Sequence, residues 1–435
     1  MIQIYLHAWR VPEIRKRLIF VLWMFIIFLA GASIPIPGLK TEGLANFFSG
    51  SGGGGIFQLL DMFGGGALRR FSILALGIMP YINASIIFNL LVVVFPALKE
   101  LQKEGEAGRK KIAAWTRYLT VVLAAVQAMG MLMLFGGQGL LSIGSGSEAG
   151  IHMLFSRFIV VVTLVAGTMF LLWVGELISE NGVGNGVSLL IFAGIIAQLP
   201  SQFVQTSFSF KDNPNALRNF VYFGFIFLAM IWFVVYVHSA ERRIPIHYAR
   251  RQVGRRYYEG HTHYLPLKVN QAGVIPIIFA VSVLLFPSTI TTFLDQGSWI
   301  AQKINNFPNS VAYYLFYAVL IGIFAYFYTA VTFDPKDVSD NLKKNGGFIQ
   351  GIRPGPQTQR YLEKILEKTT FLGAMFLISV AVIPPIIFQQ FLPGMQALGG
   401  LLGGTSILIV VGVALDTVRE IDARLTMLKY ESAIQ

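Results

Sequence analysis

Apolar residues in this chain come in long uninterrupted blocks, not in periods of two or 3.6. Ten such blocks stand out: Leu18 to Ile36, Phe71 to Phe95, Ile112 to Phe135, Phe155 to Leu177, Val187 to Phe208, Leu217 to Val237, Ala272 to Leu294, Val311 to Phe333, Thr370 to Phe391 and Leu401 to Ala414. A bilayer core needs about 20 apolar residues per helix. Lipid offers the backbone no hydrogen-bond partner, so each block predicts a helix that satisfies its own. The pattern therefore predicts an all-α polytopic membrane protein with ten transmembrane helices. The second block is preceded by a glycine-rich run, and the last is short unless it continues through Asp416.

Composition agrees. Of 435 residues, 54% are hydrophobic and only 13% charged, with a mean hydropathy of +0.63. An ordinary soluble domain carries about 25% charged residues, so a soluble enzyme is disfavoured. Cysteine is absent, which excludes a disulfide framework and any Cys-ligated zinc or iron–sulfur site. The first 36 residues, with Arg10, Arg15, Lys16 and Arg17 ahead of the apolar block, mimic a signal peptide. The block is too long for a signal-peptide core and lacks a small-residue cleavage site, so an uncleaved first span is expected.

Charge sets the orientation. With ten spans, 27 of the 34 Lys and Arg residues fall on the side of the N-terminus and seven on the other. The excess belongs in the cytoplasm, which puts both termini there. The spans divide five and five near residue 210, giving an N-terminal half 1–210 and a C-terminal half 211–435. Two five-helix halves in series have opposite topologies, the arithmetic of an inverted repeat. Two cytoplasmic segments, 241–270 and 334–369, are long and basic. Anchoring of the topology explains part of this, but Arg255 and Arg256 lie in mid-loop beside Tyr257 and Tyr258, which suits docking of an acidic or polyanionic partner.

The usual chemistry of membrane enzymes and pumps is missing. The blocks hold almost no ionisable groups; Glu176 and Asp416 sit at block ends and Asp61 lies in the glycine-rich run. There is no H-E-x-x-H zinc motif and no phosphate-binding loop. His261 and His263 lack an accompanying carboxylate cluster, so neither a metal nor another cofactor is expected. A secondary transporter remains the alternative, but it calls for a substrate site near mid-membrane that the sequence does not display.

Three segments stand apart. Between the glycines of 52–55 and 64–66, Ile56 to Phe63 is amphipathic and too short to span; it reads as a half-helix folded back into the protein or as an external loop. Phe71 to Leu91 carries Pro80 in mid-block, where a kink is expected. In it Ile82 and Ile86 share one helical face, and Ser85 and Asn89 another. In the stretch from Gly175 to Ile191, alternating Gly182, Gly184 and Gly186 predict a tight turn before a span.

These segments together resemble the SecY/Sec61-alpha family of protein-translocase channel subunits. The resemblance rests on GIMPYINASII from Gly77, ENGVGNGVSLLIFAGII from Glu180, PLKVNQAGVIP from Pro266, FIQGIRPGPQT from Phe348 and GGTSILIVVGVALDT from Gly403. Asn89 departs from the family, where Gln is usual. The resemblance implies two five-helix halves around an hourglass pore in the cell inner membrane. It implies a waist of Ile82, Ile86, Val187, Ile191, Ile278 and Ile409, and a plug over about 56–66 including Ile56, Phe57, Leu59, Leu60, Asp61 and Phe63. It implies a lateral gate with Asn83, Ser85 and Asn89 on its polar face, and Arg255, Arg256 and Arg353 as docking residues for the ribosome or the SecA motor. The implied partners are SecE and SecG, SecA, the ribosome, signal sequences and nascent chains, and the lipid itself.

Overall fold

The computed structural model describes residue 9 and residues 11–36, 61, 64–137, 151–208, 216–248, 251–253, 256–258, 262–291, 298–307, 310–391 and 403–434. The chain runs through α1 (Pro12–Ser33), α2 (Met79–Val94), α3 (Pro96–Lys103), α4 (Glu106–Gly137), α5 (Ile151–Asn181), α6 (Gly186–Phe208) and α7 (Ala216–Ser239). Strands β1 (Glu241–Tyr248), β2 (Arg251–Val253), β3 (Arg256–Tyr258) and β4 (Thr262–Lys268) follow. The remainder is α8 (Ile275–Thr291), α9 (Trp299–Asn306), α10 (Val311–Thr332), α11 (Pro335–Lys344), β5 (Gly347–Phe348), α12 (Pro356–Phe391) and α13 (Gly404–Ile434).

Each of the ten apolar blocks contains, among the described residues, the apolar part of one helix. Seven helices (α1, α4, α5, α6, α7, α10 and α12) are long and apolar enough to cross a membrane singly. The pair α2 and α3, bent by 102°, makes an eighth when counted as one broken span. Pro96 causes that bend: it forces Phe95 out of the helical region, to φ −102 and ψ 112. The apolar part of α8 is shorter, Ile275–Leu285. The last block opens α13, which continues well beyond it to Ile434.

The second block departs from expectation. Pro80 does not kink a helix in mid-span; it sits in the first turn of α2, where its missing N–H costs nothing. Residues 64–78 are turns instead. Phe71 adopts φ +42 and Gly77 φ +58. The Phe71 carbonyl accepts from Ile36 N at 3.0 Å, and Ile73 N donates to the Ile34 carbonyl at 3.1 Å. The strained Phe71 is held by burial and by an edge-on contact of its ring with Phe135, centroids 5.1 Å apart. Helix α5 passes so close that a Cβ on Gly167 would strike the Ile73 carbonyl.

The basic segment 241–270 is not irregular. It forms an antiparallel β1–β4 pair in register from Glu241 opposite Lys268 to His247 opposite Thr262. β5, from the second basic segment, adds to β1. Ile244 and Leu267 from the hairpin pack with Ile349 and with Leu362 and Ile365 at the start of α12. The two segments thus share one small apolar core outside the spans.

Candidate functional site

The six aliphatic side chains expected at the waist come from four helices and all belong to, or pack against, one large apolar cluster. Ile82 and Ile86 lie one turn apart on α2, Val187 and Ile191 at the start of α6, Ile278 on α8 and Ile409 on α13. Ile82, Ile86, Ile191 and Ile409 are buried in the largest apolar cluster of the described residues, and Val187 and Ile278 pack against it. The glycine-alternating segment sets where α6 begins. Gly184 turns the chain at φ +88, which only glycine adopts freely. Ser179 Oγ accepts from Gly186 N at 2.9 Å, and Asn185 Oδ1 caps the new helix by accepting from Ser188 N at 3.1 Å. A Cβ on Gly186 would collide with the Gly175 carbonyl, so α5 and α6 meet there backbone to backbone. Gly404 does the same for α13, its missing Cβ lying against the Val380 carbonyl of α12.

Helix α2 packs against α8 and thereby joins the N-terminal and C-terminal sets of spans. On α2, Asn83, Ser85 and Asn89 are all half-buried. On α8, Ser282 is buried with its hydroxyl unpartnered.

Of the expected plug, Ile56, Phe57, Leu59, Leu60 and Phe63 lie outside the described residues. Asp61 is described, and it is 1% exposed. Its Oδ1 accepts from Leu68 N and Arg69 N, each at 3.0 Å, and its Oδ2 lies 3.3 Å from Arg69 Nε. Its carbonyl accepts from Gly66 N at 3.0 Å and from Gln198 Nε2 of α6 at 2.7 Å. Asp61 is therefore fastened to the turns of 64–70 and to α6.

On the basic face, Arg255 lies outside the described residues. Arg256 opens β3, opposite Val253. Arg353 is exposed on the turn between β5 and α12. That turn is locked from both sides: Ser339 Oγ of α11 donates to the Gly355 carbonyl at 2.8 Å, and Thr358 Oγ1 donates to the Arg353 carbonyl at 2.9 Å.

One cluster has no sequence motif. Asp416 Oδ1 lies 3.6 Å from His238 Nε2, 3.9 Å from Lys268 Nζ and 3.9 Å from Arg419 Nη1. Among the described residues no group of three His, Cys, Asp or Glu side chains could hold a metal ion.

Seven membrane-length apolar helices among the described residues, the bent α2–α3 pair and one large internal apolar cluster define a multi-pass membrane protein. The SecY family model matches residues 72–418. The protein translocase subunit SecY of Pseudomonas aeruginosa is 44% identical over 97% of this chain and 93% of its own length. That of Escherichia coli K12 is 42% identical over 97% and 94%, and that of Aquifex aeolicus 44% over 99% and 99%. A solved protein-conducting channel shares the fold with a TM-score of 0.63 at 18% identity, covering 95% of each chain. Sec61 in the canine ribosome–channel complex does so with a TM-score of 0.60, also at 18% identity and 95% of each chain. The chain belongs to the SecY family.

Proposed function

We propose that this chain is a protein-conducting channel of the cell inner membrane. It passes unfolded secretory polypeptides across the bilayer and releases signal sequences and membrane segments sideways into lipid. The observation that carries this is membership of the SecY family over nearly the whole chain, and the apolar cluster that takes in all six expected waist side chains supports it. A passing polypeptide presents every side-chain chemistry in turn, so a selective ligand cage would arrest it. A narrow aliphatic waist instead conforms to varied chains and dewets when empty, which stops ions. The family membership and the ribosome-bound Sec61 neighbour support the same reading.

In this account Ile82, Ile86, Val187, Ile191, Ile278 and Ile409 form the waist, and the segment around 56–66 is the plug that closes it from outside. The α2–α8 contact is the lateral gate. A signal sequence is an apolar helix, so moving it from the gate into lipid releases free energy without dragging it across headgroups. Ser85 and Asn89, one turn apart on one face of α2, line the seam and make it easier to wet and part, with Asn83 on the adjoining side of the helix. Arg255, Arg256 and Arg353 form the cytoplasmic docking face for the ribosome or the SecA motor; guanidinium groups suit rRNA phosphates and protein carboxylates alike. SecE and SecG complete the channel. Both termini are cytoplasmic, the chain needs no cofactor, and it hydrolyses nothing; energy comes from the partner or the membrane potential. Proteoliposomes holding the complete translocase test this: ATP-driven uptake of a signal-bearing precursor supports it, and small-solute exchange without precursor uptake overturns it.

A further inference from the structure

We propose that Asp416 is a positioning residue that ties both ends of the β1–β4 hairpin to the helix carrying Ile409. This rests on the docking role given above to the basic face. The hairpin leaves the membrane just after His238, at the end of α7, and returns at Lys268, the last residue of β4. Val269 N donates to the Ala240 carbonyl at 3.0 Å and closes the base of the hairpin. Both flanking side chains then reach one carboxylate: His238 Nε2 at 3.6 Å and Lys268 Nζ at 3.9 Å from Asp416 Oδ1. Arg419, one turn on along α13, approaches the same oxygen at 3.9 Å and donates from Nη2 to the His238 carbonyl at 3.4 Å.

The charges show why a carboxylate is required. Lys268 and Arg419 carry fixed positive charge, and Asp416 is the acid that faces both. His238 is 4% exposed, and among the described residues neither its two nitrogens nor Arg419 Nη1 has a hydrogen-bond partner. Without Asp416 the half-exposed Lys268 and Arg419 would repel each other beside the buried His238 with no acid between them. Asp416 itself is 58% exposed, so each contact is screened and singly weak. A joint of three weak contacts fixes direction while leaving α13 able to move. Asp416 follows Ile409 by seven residues, which is two helical turns and hence the same face. Force on the hairpin therefore reaches the aliphatic cluster through one short rigid piece of helix.

The chain has no cysteine, which permits clean spin labelling. Tyr264 on β4 and Met427 on α13 are both exposed and can be changed to labelled Cys in the complete translocase in lipid nanodiscs. The Tyr264–Met427 distance distribution should broaden in Asp416→Ala and stay narrow in Asp416→Glu. Motor or ribosome affinity should be unchanged in Asp416→Ala while partner-driven translocation falls at least about fivefold. Lys268→Met, which leaves His238 and Arg419 on the carboxylate, should show smaller changes in the same direction and carries the test if Asp416→Ala does not assemble. An unchanged distance distribution overturns the proposal without touching the channel assignment. A broadened distribution with normal translocation overturns the coupling role, and so does a fivefold loss of affinity, because Asp416 would then serve the docking surface itself.

Discussion

Gln198 of α6 donates its side-chain N–H to the backbone carbonyl of Asp61 at 2.7 Å, linking residues 137 positions apart. The same Asp61 carboxylate is buried against Arg69 and accepts two backbone N–H bonds. Removing one member of a buried pair costs roughly 3–5 kcal/mol; Arg69 is about a third exposed, which lowers the figure here. Asp61→Ala should therefore cost about 2–3 kcal/mol and lower the unfolding midpoint in detergent. Asp61→Asn, which keeps the oxygen for Leu68 N and Arg69 N, should cost less. Equal midpoints for the two variants would show that the hydrogen bonds from Leu68 N and Arg69 N do not hold Asp61 in place.

The aliphatic waist makes a prediction about ions. Ile191→Ser places a hydroxyl in the cluster, where water can then enter. Leak current through resting channels in a planar bilayer should rise about tenfold or more, the change given by ~1.4 kcal/mol of lost closed-state preference. Ile196→Ser, at an exposed position on the same helix, should leave the current unchanged. Equal currents in the two would remove Ile191 from the seal.

The polar face of α2 sets signal-sequence stringency in this account. Asn89→Leu should dry the seam and reduce export of a precursor with a weakly apolar signal, while a strong signal passes as before. Unchanged export of the weak-signal precursor would count against a gate role for Asn89.

Arg353 stands exposed on a turn locked by Ser339 and Thr358. Arg353→Glu should weaken motor docking by at least about tenfold and cripple motor-driven export. The level of assembled complex should stay normal, because the locking bonds use the Gly355 and Arg353 carbonyls and not the guanidinium. Normal export in this variant would refute the docking assignment.

The spans were legible because lipid enforces a simple rule: a long apolar block must form its own backbone hydrogen bonds. That rule misled at Phe71 to Ile78. These residues are apolar, yet their backbone bonds run partly to Ile34 and Ile36, and Phe71 and Gly77 take positive φ. Hydropathy cannot tell a buried turn from a buried helix. Pro80 was read as a kink for the same reason, since its place in the helix depends on where the helix starts. The β1–β4 hairpin left a signal in the alternation of Ile244 with Ile246 and of Leu265 with Leu267, hidden beneath the density of arginines. The Asp416 cluster left none. His238, Lys268 and Asp416 come from three elements, and only the fold brings them together. The six waist positions were named through the family resemblance, not from periodicity, which pairs Ile82 with Ile86 and says nothing of Ile278 or Ile409.

The central claim is that a translocating polypeptide passes between Ile82 of α2 and Ile278 of α8. A photocrosslinking residue at position 82 or 278, with a precursor stalled midway by a folded C-terminal domain, tests it directly. Crosslinks from both positions to the precursor, absent from a lipid-facing control at Leu228, are the predicted result. Crosslinks to lipid at 82 and 278, with none to the precursor, would contradict the account.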